Sequence, residues 1–171
     1  DARAEFGRTA PLVLDIGIGS GDSLTTAAAA EPDVDLIGAD VHTPGIASTM
    51  ARIESIGLTN VRLVHGDALR FAERLAPASL SGLRIYFPDP WPKARHRRRR
   101  MASSANIDRF CRLLAPGGTL HVATDSDEVA LACRTHELRS ILTSESAPSG
   151  SARCAEALPD LGDPGVVVDV Q

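Results

Sequence analysis

The sequence is poor in aromatics, which make up 4% of its 171 residues, with one tryptophan and one tyrosine. A core must therefore be built from Leu, Val, Ile and Ala, and the 43% hydrophobic content is enough to build one. Cysteine is scarce too. Cys111, Cys133 and Cys154 are far apart and odd in number, with no CxxC or Cys/His ligand spacing. That excludes a disulfide framework and a zinc site of the usual patterns. No apolar run approaches the roughly 18 residues of a membrane span. No basic stretch followed by an apolar one marks a signal peptide. A reducing, cytoplasmic location is expected, with no metal and no membrane partner. The chain opens on Asp1, so a preceding segment is expected.

What is present is an uneven charge distribution. The net charge is -4, from 18 basic and 22 acidic residues. Residues 93–100 hold Lys93, Arg95, Arg97, Arg98, Arg99 and Arg100 and no acid. Outside that block 12 basic residues face 22 acidic ones, a net of -10. Most of such a surface repels a polyanion while one patch attracts it. The block sits in "FPDPWPKARHRRRR", residues 87–100. It suits a solvated charge run, a localisation signal, or one half of a nucleic-acid site. Within it, His96 is placed to meet phosphate, and Trp91 either packs or stacks on a base.

Apolar runs alternate with helical patterns. A first strand is expected as the apolar run within 11–22 that ends in a glycine-rich turn, with others over 34–40, 60–67, 83–87 and 119–125 and a last one over 166–170. Helices are expected over 23–32, 43–58, 68–75, 104–118 and 126–142. Thr43 is the expected N-cap of the second helix, with Pro44 in its first turn and Gly57 at its end. Residues 77–82 read as a loop, as does the Ser/Pro/Gly-rich stretch 145–165. The alternation predicts one α/β domain over 1–171, a doubly wound, mostly parallel sheet with helices on both faces. Ligands in such sheets bind beyond the carboxyl ends of the strands. Asp15, Asp40, Asp67, Asp89 and Asp125 all fall at or near that edge; the competing role for any one of them is a helix N-cap.

"PLVLDIGIGSGD" (11–22) places Gly17, Gly19 and Gly21 after the first strand. The dinucleotide fingerprint needs a glycine at position 22, where Asp22 stands. A carboxylate at the start of that helix disfavours a pyrophosphate. A ligand without phosphates, such as S-adenosylmethionine, suits the turn better. Asp40, 19 residues after Gly21, is placed to accept ribose hydroxyls. Asp67 is placed near an adenine amino group. Asp15, inside the turn, is placed to meet the positive end of the ligand.

Taken together, "FPDPWPKARH", "LDIGIGSGD", "GADVHTPG" and "ATD" resemble bacterial tRNA (guanine-N7)-methyltransferases over about residues 8–140. The resemblance implies a class I methyltransferase fold, S-adenosylmethionine as donor, and a guanine in the tRNA variable loop as acceptor. It implies that Asp15, Asp40, Asp67 and Asp89 hold the donor, with Asp89 also catalytic, and that Lys93 and Asp125 contact tRNA. Arg95, His96, Arg97 and Arg98 would grip phosphates beside them. Three features depart from the family pattern. Aspartate stands at 15 and 40 where glutamate is usual. No T-x-[YF]-E occurs between 143 and 171. The usual basic arm before the first strand is missing. The alternatives are a non-catalytic RNA-binding relative, or a methyltransferase of small molecules.

Overall fold

The computed structural model describes residues 2–88, 101 and 103–124, and the strand backbones at 140–142 and 166–170. A short 3-10 helix over Ala2–Phe6 leads into alternating elements. These are β1 (Leu12–Ile16), α1 (Asp22–Ala30), β2 (Asp35–Asp40), α2 (Thr43–Ile56), β3 (Val61–His65), α3 (Ala68–Ala72) and β4 (Leu80–Tyr86). Then come α4 (Ser104–Leu113), β5 (Leu114–Thr124), β6 (Ser140–Leu142) and β7 (Val166–Val170). The sheet order is β3-β2-β1-β4-β5-β7-β6. Every recorded strand pair is parallel. The expected doubly wound α/β fold is therefore present.

The sequence of β1, LVLDI, explains its central place: all five residues are buried. A strand covered on both faces needs apolar side chains on both. Leu12, Leu14 and Ile16 pack with Ala68 and Ala72 of α3 and with Ile107 and Phe110 of α4. Val13, on the opposite face, packs with Leu24 and Ala28 of α1 and Ile46 of α2. The last turn of α1 is closed by buried Asn60, whose amide donates to the carbonyls of Ala28 (3.0 Å) and Val34 (2.9 Å).

Several boundaries differ from expectation by a few residues, and four of the differences have a clear cause. β4 begins at Leu80, inside the stretch expected to loop. Leu80, Gly82 and Leu83 are buried in the sheet on either side of Ser81, and a short apolar alternation is easily lost among Pro, Ser and Gly. α4 ends at Leu113 rather than 118. Pro116 disfavours helical backbone at Ala115, and residues 115–118 instead bulge out of register opposite Ser81. Residues 140–142 form β6 rather than a helix end. They pair in parallel with β7, a long-range partner that overrides local helical pattern. The N-cap of α2 is His42, not Thr43, which is the first helical residue. The expected helix over 126–139 and the loop over 145–165 lie outside the described residues.

Among the described residues no helix is long and apolar enough to cross a membrane, and no cluster of ligating side chains could hold a metal ion.

Candidate functional site

The strand order reverses direction at β1, and there the ends of β1, β2, β3 and β4 open a cavity of about 500 Å³. Its walls come from Ile16, Gly17 and Gly19 after β1, Ala39–His42 at β2, and Gly66–Ala68 after β3. Ile85–Pro88 at the end of β4 and Met101 complete it. This is where an open α/β sheet carries its ligand.

The glycine turn is shaped by hydrogen bonds to the neighbouring strand. Gly17 N–H donates to the Ala39 carbonyl (2.8 Å), and Gly19 N–H to Asp40 Oδ2 (2.9 Å). Both glycines have positive φ, +77° and +56°, which disfavours any residue with a Cβ. A Cβ at either would meet nothing within 4 Å, so each leaves open space toward the cavity. Gly21 differs. It caps α1 with φ +81° and packs against Thr49 instead of lining the cavity.

Asp40 stands at the cavity edge. Its Oδ1 accepts from His42 N–H (2.8 Å) while Oδ2 holds Gly19. One carboxylate thus joins the glycine turn to the start of α2. A carboxylate has about four acceptor positions, so two remain for hydroxyls of a ligand. Asp67 also lines the cavity, and it caps α3: its Oδ1 accepts from Leu69 N–H at 2.9 Å. The N-cap role is thus present, in a residue that also borders the cavity. Val41, 69% exposed, offers the same cavity an apolar wall.

Asp15 is not in the turn and does not line the cavity. It lies within β1, 2% exposed, in register between Gly38 and Arg84. Burial pushes its pKa up to about 7, with Arg84 partly opposing the rise. Asp22 begins α1, and its carboxylate pairs with Arg52 of α2 at 2.5 Å. Its charge is largely balanced, so it opposes a phosphate less than the bare sequence suggests. Asp89, Lys93, Arg95, His96, Arg97, Arg98, Trp91 and Asp125 lie outside the described residues.

Sequence reasoning missed Gly45, Thr49 and Arg52, which hold the turn from α2. The signal was available: they stand at i, i+4 and i+7 of one helix, and a glycine sits where alanine is the better helix former. It also missed the second role of Asp40. An Asp two residues before a backbone N–H it can accept from is a turn signature.

A doubly wound parallel sheet, a three-glycine turn after β1 and a carboxylate after β2 are together the architecture of a class I methyltransferase domain. Comparison with known proteins agrees. Residues 9–149 match the family described as "Putative methyltransferase", and the chain belongs to that family. It is 52% identical, over 126 residues, to a tRNA (guanine-N(7)-)-methyltransferase of Nocardia farcinica, covering 73% of this chain and 47% of that protein. It is 46% identical over 146 residues to the protein of that name from Nitrosomonas eutropha, covering 85% and 63%. The chain thus spans about half to under two thirds of those relatives. The resemblance drawn from PDPWPK and the glycine turn is borne out. Among solved structures, Haemonchus contortus phosphoethanolamine N-methyltransferase 2 shares the fold, with TM-score 0.51 and 22% identity, over 80% of this chain and 32% of that one. An aminoglycoside resistance methyltransferase, NpmB1, does so with TM-score 0.50 and 22% identity, over 70% and 58%.

Proposed function

We propose that the protein is an S-adenosylmethionine-dependent tRNA (guanine-N7)-methyltransferase. The observation that carries this is the junction at Phe87–Pro88. The start of FPDPWPK lines the same cavity as the glycine turn. Identity of 46–52% to relatives of that name supports the same assignment.

The described residues fit the donor. Gly17 and Gly19 leave room for close approach, Asp40 keeps acceptor positions for ribose hydroxyls, and Val41 gives a flat base an apolar neighbour. Asp15 is too buried to touch the ligand from the cavity wall. Adenosylmethionine supplies an electrophilic methyl group on a sulfonium. Guanine N7 already carries an in-plane lone pair, so no base is needed to generate the nucleophile. The residues have to align the two and stabilise positive charge on the ring. Asp89, between Pro88 and Pro90, is assigned to accept the guanine N1–H and amino group, and so to offset that charge. Lys93, Arg95, His96, Arg97 and Arg98 are assigned to the tRNA backbone, and Asp125 to the tRNA near the base.

The test is transfer of labelled methyl from adenosylmethionine to unmodified tRNA, followed by strand cleavage at N7-methylguanine. Label at guanine N7 is expected. Asp89→Ala should lower kcat at least about 100-fold, the scale of one lost transition-state contact. Tight tRNA binding without transfer would point to a non-catalytic relative, and methylation of a small acceptor alone would sink the tRNA assignment.

A further inference from the structure

We propose that α2 is the mould of the glycine turn. Gly45, Thr49 and Arg52, none of which borders the cavity, fix the conformation of residues 19–22 and thereby set the affinity for the adenosyl ligand. The identity of that ligand rests on the function proposed above; the placement of the residues does not.

The three residues lie on one face of α2 by their spacing. Each meets a different part of the turn. A Cβ at position 45 would lie 2.1 Å from the Gly19 carbonyl oxygen. Carbon–oxygen contacts of that kind sit at about 3.3 Å or more, so a side chain there would displace the Gly19 peptide by roughly 1 Å. Gly45 is not in the left-handed region, so its backbone does not demand glycine. Alanine is the better helix former. Close approach is what glycine provides at this site.

Thr49 is fully buried, and its hydroxyl donates to the Gly45 carbonyl at 2.8 Å. It fills the space beside Gly21, where a Cβ would lie 2.1 Å from Thr49 Oγ1 and 2.6 Å from Cγ2. Arg52 pairs with Asp22, which also accepts from the Ser20 hydroxyl. At the head of the helix, His42 Nδ1 accepts from Gly45 N–H at 3.3 Å. Gly19 is thus held from both sides: its N–H by Asp40, its carbonyl against Gly45. A turn with three positive-φ glycines has wide freedom when isolated. Fixing it before the ligand arrives removes an ordering cost from binding.

The experiment compares wild type with Gly45→Ala by calorimetry against adenosylmethionine and adenosylhomocysteine. A displacement near 1 Å should weaken Kd about tenfold to a hundredfold. With saturating donor, kcat should stay within about twofold, and tRNA affinity should not change. A merely unstable variant would instead lose kcat with its folded fraction. Gly57→Ala, at the other end of α2, should bind both compounds as wild type does. A Kd for Gly45→Ala within twofold of wild type overturns the proposal. Should Gly45→Ala fail to fold, Thr49→Ser keeps the hydroxyl bond and deletes only the methyl beside Gly21. It should weaken Kd about threefold and speed hydrogen exchange at the Gly19 and Ser20 amides; no change in either also overturns it. Wild-type protein that bound neither compound would sink the methyltransferase assignment, while the exchange rates in both variants would still decide whether α2 sets the turn.

Discussion

Asp15, Arg84 and His121 lie in register across β1, β4 and β5, and so share one face of the sheet. Burial drives the two titrating groups in opposite senses. Asp15 rises from 3.8 to about 7, mainly through desolvation. His121 falls from 6.5 to about 4, through desolvation first and Arg84 second. Its Nδ1 lies 3.0 Å from the Tyr86 hydroxyl, and its Nε2 is buried with no partner among the described residues. The signs then follow. The Asp15 contribution to stability is fullest below pH 3.8 and is lost as pH rises through 7. The His121 contribution is present above pH 6.5 and is lost as pH falls through 4. The two slopes oppose each other between about pH 4 and 6.5. Asp15→Asn should remove the first and expose the second. Its stability should then fall with acid in that window more steeply than wild type, by up to about 1.4 kcal/mol per pH unit for one proton. Urea unfolding across pH 4.5–7.5 checks this; parallel profiles would rule it out. An aspartate in an apolar strand is legible in sequence, but its distance from the cavity is not.

At the scale of elements, α2 shows where local rules succeed and stop. Gly57 closes the helix in the left-handed region at φ +70°, as its position in the sequence predicts. No atom would meet a Cβ there within 4 Å, so Gly57→Ala pays only the conformational cost. Chemical denaturation should show a loss of about 1–2 kcal/mol, with cofactor affinity unchanged. The opposite end departs by one residue from what the sequence predicts. Thr43 has the side chain of a common cap, yet His42 supplies it because Asp40 pins the His42 amide into the turn. His42→Ala should cost about 1 kcal/mol, and His42→Ser or His42→Asp should recover most of it. Failure of both to recover would mean that His42 matters for something other than capping. The β4–β5 pairing lies beyond local rules altogether. Leu80 pairs with Leu114, 34 residues on, and no short-range pattern reports that.

At the scale of the molecule, charge is segregated. Six basic residues lie within 93–100, against a remainder of -10. Alanine at Arg97, Arg98, Arg99 and Arg100 should weaken tRNA binding across all sequences. It should reduce the slope of log K against log salt by about 3–4 if all four meet phosphates. Filter binding between 50 and 200 mM salt measures it, and an unaltered slope would return the run to a solvated surface. Adenosyl ligand affinity should stay close to wild type, because none of the described cavity residues belongs to that run.

The sequence by itself determined the alternation of strands and helices, the glycine turn at the end of β1, the carboxylates Asp40 and Asp67, and the family. These are carried by short-range signals: apolar period, turn residues, and a rare Pro-Asp-Pro-Trp string. Only the tertiary structure decided that Asp15 is buried away from the cavity, that Gly21 seats against Thr49, and that Gly45 admits the Gly19 carbonyl. Gly19 and Gly45 are 26 residues apart. Their contact exists because parallel strands β1 and β2 bring the turn and the helix to the same edge. Propensity cannot encode such an approach, since it depends on where a second element arrives and how little space it leaves.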